Sequence, residues 1–375
     1  MIDSNTGFAD DPSGMRLHAV RDGTLYATRG QELLAGANVH SLRQIGRLPA
    51  RSDLVDGVES IIAHRPVEAL IEKIVGRYAT HTVYPVDSNN IIATSGCWMM
   101  TTDDGGTNWK INNILPPSSP RFGVLPSAIC VHDGTIYVGE YQLEYDRPAR
   151  LLRSTDNGQT WTGFDIAPAR HIHGVQVDPY SGELWITTGD TDVESRILRF
   201  DDESFSVVGG GSQAWRAVEL AFTEDAILWG MDCAYATSKP IYRLDRQWID
   251  DGTPMKVSEV AGSVYYSATL QQDDVTWVAF SSAIEQGIDS TAPHQQVKTA
   301  QKASVVAASE ESAFTEWYEL AGYRKRRVLG ELLPNGVVPI ANAYVFLEST
   351  ADEFILNPFN TASHDSQLRQ IKPPY

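Results

Sequence analysis

Two stretches decide the fold: Thr102-Asp103-Asp104-Gly105-Gly106-Thr107-Asn108-Trp109 and Ser154-Thr155-Asp156-Asn157-Gly158-Gln159-Thr160-Trp161. Both read Ser/Thr-x-Asp-x-Gly-x-x-Trp, and they start 52 residues apart. An aspartate followed two residues later by glycine suits a tight turn: the carboxylate caps backbone N–H groups and the glycine takes a positive φ. The tryptophan then anchors the returning strand in a core. A hairpin this specific, repeated at about the length of one propeller blade, predicts an all-β chain folded as a β-propeller.

The two stretches resemble the Asp-box (BNR) repeats of sialidase-like propellers. The resemblance implies that Asp104, Trp109, Asp156 and Trp161 are structural, on the face away from any active site.

Working outward, a second pattern recurs, in which a turn leads into four or five β-formers. It appears at Asp22, Ser88, Asp133, Ser181, Glu224 and Asp273, and more weakly at Asn335, with spacings of 66, 45, 48, 43, 49 and 62 residues. Each copy reads as the hairpin between a blade's first two strands. Degenerate outer hairpins are expected at Asp201–Phe205, Asp245–Trp248 and Asp352–Phe354, with Trp317 as the outer tryptophan of the sixth unit. Seven hairpins predict a seven-bladed β-propeller, with six blades as the alternative. One toroid uses the whole chain, residues 1–375, as a single domain, with insertions at about 52–78 and 286–312 and a C-terminal tail at about 359–375. In the first insertion, Ala69, Leu70 and Ile74 have helical spacing behind Pro66. The second is rich in Ala, Ser, Gln and Thr and predicts a surface loop or short helix. The tail either closes the ring beside the N-terminus or docks elsewhere.

The net charge of −18, with only 8 lysines among 30 basic residues, suits a carboxylate-coated surface in high salt, with an ordinary acidic protein as the alternative. It argues against nucleic acid and against anionic membranes. No stretch is long and apolar enough for a membrane-spanning helix. The first residues show neither a basic nor an apolar leader segment. Cys97, Cys130 and Cys233 form no Cys-x-x-Cys motif and read as buried thiols. The resemblance implies an extracellular protein; a mature form, export by another route, or delivery on a particle such as a virion would each fit the missing leader.

A propeller binds ligands at the mouth where first strands begin and second strands end. In the fourth unit Arg170-His171-Ile172-His173 opens the first strand, alternation puts both histidines on one side, and the second strand returns Asp190 to the same rim. His171, His173, Asp190 and Tyr145 are the catalytic candidates. Arg170, Arg216, Arg121, Glu140, Tyr141, Asp232 and Tyr265 are the ligand-binding ones, because rings stack on sugars and guanidinium forks pair with acids and hydroxyls. His-x-His in a propeller channel also reads as a channel lining. The set has the chemistry of a zinc or manganese site, but lacks a third ligand at motif spacing, and no metal or cofactor is expected.

Two functions remain open. One is a carbohydrate-active enzyme, a glycosidase or polysaccharide lyase on acidic surface glycans. The sialidase resemblance implies an arginine triad, a tyrosine nucleophile and an aspartate acid/base, yet Arg121-Phe122-Gly123-Val124 departs from the family's Arg-Ile-Pro motif. Lyase logic would use His171 or His173 as base, Tyr145 as acid and Arg170 or Arg216 to neutralise the uronate. The other is a non-catalytic receptor-binding or structural propeller with glycan or protein partners on a cell surface or virion.

Overall fold

The computed structural model describes residues 13–50, 54, 65–79, 81–115, 124–142, 147–250, 252–285, 287–288, 296–297, 300–334 and 337–374. The hairpins build seven antiparallel sheets in sequence order around a ring. Blade one is β1 (Met15–Arg21), β2 (Thr24–Arg29), β3 (Glu32–Gly36) and β4 (Arg43–Arg47). The helix α1 (Arg65–Val75) follows, starting one residue before Pro66. Blade two is β5 (His81–Pro85), β6 (Ile91–Ser95), β7 (Trp98–Thr102) and β8 (Lys110–Ile114). Blade three is β9 (Ile129–His132), β10 (Thr135–Gly139), β11 (Ala149–Ser154) and β12 (Thr162–Ile166). Blade four is β13 (His171–Val177), β14 (Leu184–Gly189), β15 (Arg196–Phe200) and β16 (Phe205–Gly210). Blade five is β17 (Leu220–Phe222), β18 (Ala226–Gly230), β19 (Lys239–Asp245) and β20 (Met255–Val260).

Blade six is β21 (Val264–Gln272) and β22 (Val275–Ser282), then, after a small ribbon of β23 (Gly287–Ile288) and β24 (Gln296–Val297), β25 (Ala303–Ser309) and β26 (Tyr318–Tyr323). The 286–312 stretch therefore contributes a blade strand, β25, as well as a connection. Blade seven is β27 (Tyr344–Ser349), β28 (Phe354–Phe359) and β29 (Arg369–Ile371), three strands among the described residues. Residues 359–375 thus include blade strand β29.

Local chemistry sets the hairpins. Asp22-Gly23 has φ of 48° and 71°, Asp133-Gly134 47° and 74°, and Asp273-Asp274 50° and 63°. Two consecutive positive φ values match the twist of the flanking strands. Burial runs from the middle outward: β6, β14, β18 and β28 are buried throughout, while β4 and β12 are mostly exposed and β16 and β20 have no fully buried residue. Two of the three cysteines are buried; Cys97 is only partly so.

Both signature hairpins join the third and fourth strands of their blades. Thr102 Oγ1 donates to Asp104 Oδ1 at 2.8 Å and accepts from the Gly106 N–H at 3.1 Å, and Asn108 N–H donates to Asp104 Oδ1 at 2.9 Å. The second copy repeats this through Ser154, Asp156, Gly158 and Thr160. Gly106 and Gly158 take φ of 97° and 79°. These hydrogen bonds hold the carboxyls of Asp104 and Asp156 down at about 2. Trp109 and Trp161 are only partly buried, which corrects the expectation of core tryptophans. Each indole N–H donates to the turn glycine's carbonyl, and that of Trp109 also to Arg47 O in blade one at 2.8 Å. Both clip their own turn, and Trp109 also staples blade two to blade one.

Two sequence expectations need correction. Asn335 lies outside the described residues, and residues 337–342 form no strand; Pro339 removes a backbone donor there. Blade seven's first hairpin is Ser349–Phe354, so Asp352 belongs to an inner turn, not an outer one. The ring closes between blades seven and one. The buried Asn357 side chain accepts from Leu17 N–H at 3.0 Å and donates to Met15 O at 3.1 Å. Met15 N–H donates to Ser366 O at 2.8 Å. Met15, Leu17, Phe346 and Leu356 share one apolar cluster across this seam.

Candidate functional site

First strands begin and second strands end on one face of the ring, and the signature hairpins turn on the other. At the first face a cavity of about 530 Å³ is bordered by residues of blades three to seven and of the connection from α1 into blade two, within the usual size of small-ligand sites. Four second strands return an acid to this rim: Glu140 after β10, Asp190 after β14, Asp232 after β18 and Glu285 after β22.

Asp190 is the hub. Its Oδ1 accepts from Arg216 at 2.8 Å and lies 3.4 Å from His173 Nε2; its Oδ2 lies 3.0 Å from His171 Nδ1 and 3.4 Å from Arg170. Burial alone would raise this carboxyl. Hydrogen bonding with His171 and His173 and the charge of Arg216 outweigh burial and hold it far below the usual carboxylate range. Gly189 makes the approach possible: a Cβ there would sit 2.7 Å from His173 Cε1 and 3.2 Å from Arg216 Cγ.

The two histidines differ. His173 borders the cavity, and its Nδ1–H donates to Ala217 O in blade five at 3.2 Å, leaving Nε2 facing Asp190. His171 lies behind it, 3.9 Å under the Tyr141 ring; its Nδ1 faces Asp190 Oδ2, and its Nε2 has no hydrogen-bond partner. β13 is bulged at His173, so the pair converges through a bulge and not through plain alternation. One ligand atom each from His171, His173 and Asp190 lies within 4.8 Å of the others. These are imidazole and carboxylate donors, but both Asp190 oxygens already face a guanidinium.

Arg216 also approaches Asp232 Oδ2 at 3.5 Å. Asp232, Tyr141 and Tyr265 border the cavity with Arg216. Arg170 is held by Glu194 at 3.1 Å as well as by Asp190 and is not on the cavity wall. Glu140 stands apart: its fully buried carboxylate takes hydrogen bonds from Arg147 and Arg150 within blade three, so it is a structural ion pair and not a ligand-facing acid. Arg121 and Tyr145 lie outside the described residues.

Sequence reading missed Glu285 and Tyr344. Burial first, and repulsion from Asp232 second, push the Glu285 carboxyl up. Ser263 donates to its Oε1 and Tyr265 to its Oε2, the latter at 2.7 Å, while Asn342 donates to the Tyr265 hydroxyl at 2.9 Å. The signal was present: Glu285 stands just past a second strand, as Asp232 does one blade earlier.

No known protein-family profile matches the sequence, and no curated protein matches it. Solved structures do. An ancestral GH74 enzyme superposes with a TM-score of 0.51 at 11% identity, covering 98% of this chain and 47% of that one. A GH74 enzyme from Niastella koreensis gives 0.47 at 13% identity, covering 84% and 46%, and a GH74 xyloglucanase from Xanthomonas campestris gives 0.45 at 14%, covering 80% and 46%. The chain spans about half the length of these enzymes. At such identity the likeness is one of fold, and the fold is a seven-bladed β-propeller.

Proposed function

We propose that the central cavity is a saccharide site, and that the protein is a carbohydrate-recognising propeller with glycoside hydrolysis as its reaction. The observation that carries the reaction is the Glu285 carboxyl, held above its ordinary range beside Asp232 at the mouth of a tyrosine-walled cavity. A carboxyl that keeps its proton can protonate a leaving oxygen while a second one serves water or the sugar. Tyr141, Tyr265, Tyr266 and Tyr344 offer faces for sugar rings. His173, Asp190 and Arg216 form the rigid floor that orients Asp232.

The cavity's charge favours neutral over acidic sugars. Its described wall carries two carboxylates (Asp190, Asp232) and the proton-retaining Glu285, and its two guanidiniums are both already paired, Arg216 with Asp190 and Arg77 with Asp365, which leaves no free cation for a sugar acid. The sialidase-like resemblance of the two signature hairpins, and a place at a cell or particle surface, are compatible with this reading. A purely binding propeller is favoured by one observation: Asp190 is so fully engaged that it is poorly suited to act as a base.

The test incubates the protein with neutral and uronate polysaccharides, following new reducing ends for hydrolysis and ultraviolet absorbance for lyase products. Glu285→Gln is expected to lower kcat by about 10²–10⁴-fold with sugar binding retained. Binding without turnover, weakened by Tyr265→Ala, would replace the enzyme by a binding protein. Absence of binding to every polysaccharide would end the saccharide reading.

A further inference from the structure

A second cavity, of about 630 Å³, lies beside the first blade and shares Arg77, Tyr78 and Ala79 with the central one. Arg16, on β1, borders it. All three guanidinium nitrogens of Arg16 are buried without a hydrogen-bond partner, and the residue is 7% exposed. Its neighbours are rings: the guanidinium carbon sits 5.0 Å from the Phe346 centroid. Burial lowers its proton affinity, with Tyr344 and Tyr266 nearby. The other charges bordering the cavity are Arg77, which pairs with Asp365 at 2.6 Å, Arg47, which donates to Gln31 at 2.9 Å, and the α1 carboxyls Glu68 and Glu72, the latter pushed up by burial. A buried, unpaired cation is costly unless something compensates it.

The surroundings supply further donors. The Val83 N–H donates to His18 Nδ1, which puts the proton of the neutral His18 ring on Nε2, facing Thr28 Oγ1 at 2.9 Å. Thr28 then donates to His81 Nε2 at 3.0 Å, leaving His81 with its proton on Nδ1. Burial first and Arg16 second keep both rings neutral, His81 at about 3. His81, Thr94 and Ser95 border the same cavity. Donors therefore gather beside a forked cation, in a chain whose overall charge is strongly negative.

We propose that this cavity binds a compact oxyanion, with Arg16 as the paired donor and His81 as a second. The anion's source is either a free phosphate or sulfate or the acid group of a sugar. A guanidinium recognises such groups through two parallel hydrogen bonds. The site is independent of the saccharide reading.

The experiment follows melting temperature and calorimetric binding as phosphate, sulfate or glucuronate is titrated against chloride at matched ionic strength. The wild-type protein and Glu285→Gln are expected to show the same saturable rise with at least one of the three anions and none with chloride. Arg16→Lys, which keeps the charge but loses the fork, should weaken Kd by about tenfold or more. Arg16→Met should abolish the response while melting no lower than the anion-free wild type, because the unpaired charge is gone. Response to phosphate or sulfate alone would assign a free ion, and response to glucuronate a sugar-borne acid. The proposal is overturned if no anion gives a saturable rise, or if Arg16→Met and Arg16→Lys respond as the wild type does.

Discussion

Asp190 has two oxygens and four cationic or imidazole neighbours, which fixes what its loss would do. Asp190→Asn leaves Arg216, 10% exposed in its side chain, without its closest charge partner. Removing one member of a buried pair is strongly destabilising, here by about 2–4 kcal/mol at pH 7 given the partial exposure of Asp190. Because the folded carboxyl is held below its unfolded value of about 3.9, its contribution is present above that pH and lost as pH falls. The gap between variant and wild type in chemical denaturation should therefore narrow below about pH 4. Glu348 behaves oppositely. Burial pushes it to about 8, so its contribution is full below the unfolded glutamate value and lost as pH rises toward 8. Melts of Glu348→Gln should gain on the wild type between pH 5 and 8, with a slope of at most about 1.4 kcal/mol per pH unit. That His171, His173 and Asp190 reach one rim could be read from strand direction; the bulge at His173 that turns the two rings together could not. The withdrawal of Glu140 could not, since it depends on Arg147 and Arg150 folding back within blade three.

The outer hairpins were legible for a different reason. Their hydrogen bonds join residues two to four apart, so an eight-residue word holds nearly all the information. What the word lacks is the neighbour. A Cβ on Gly158 would lie 2.7 Å from Thr101 Cγ2 in the preceding blade, and the Asn112 side chain of that blade donates to Gly158 O at 3.1 Å. Gly158→Ala is accordingly expected to cost more than about 1 kcal/mol, from the left-handed φ and the close approach together. Trp161→Ala should cost about 2–3 kcal/mol, below the loss for a fully buried aromatic, because the indole is partly exposed. Both are read from denaturation midpoints; saccharide binding per folded molecule should stay unchanged, since this hairpin lies on the opposite face. The inner turn at Asp352 was mistaken for an outer one because the acidic turn is similar in both places, and only the pairing of β27 with β28 separates them.

At the scale of the molecule, the first six blades were readable from a recurring turn, whereas the seventh, whose first hairpin is Ser349–Phe354 and not at Asn335, and the seam were not, the seam because it joins residues far apart in the sequence. Asn357 holds that seam with two hydrogen bonds, to Leu17 N–H and Met15 O, and a third ties it to Gln367 O within blade seven. Asn357→Leu should cost about 2–4 kcal/mol by stranding the Leu17 N–H and Met15 O. Hydrogen exchange should then rise first in β1 and β28, ahead of β14 and β18; uniform acceleration around the ring would contradict this. The seam also has a history in time. Leu17 and Asn357 are 340 residues apart, so at ordinary translation rates β1 leaves the ribosome roughly 20–70 s before its closing partner. Through that interval its apolar face and two backbone groups stay uncovered, while each later blade can pair its own neighbouring strands as they emerge. A nascent chain stalled before blade seven would carry an unfinished edge on blade one, and that edge is where a chaperone or protease would first tell a closed ring from an open one.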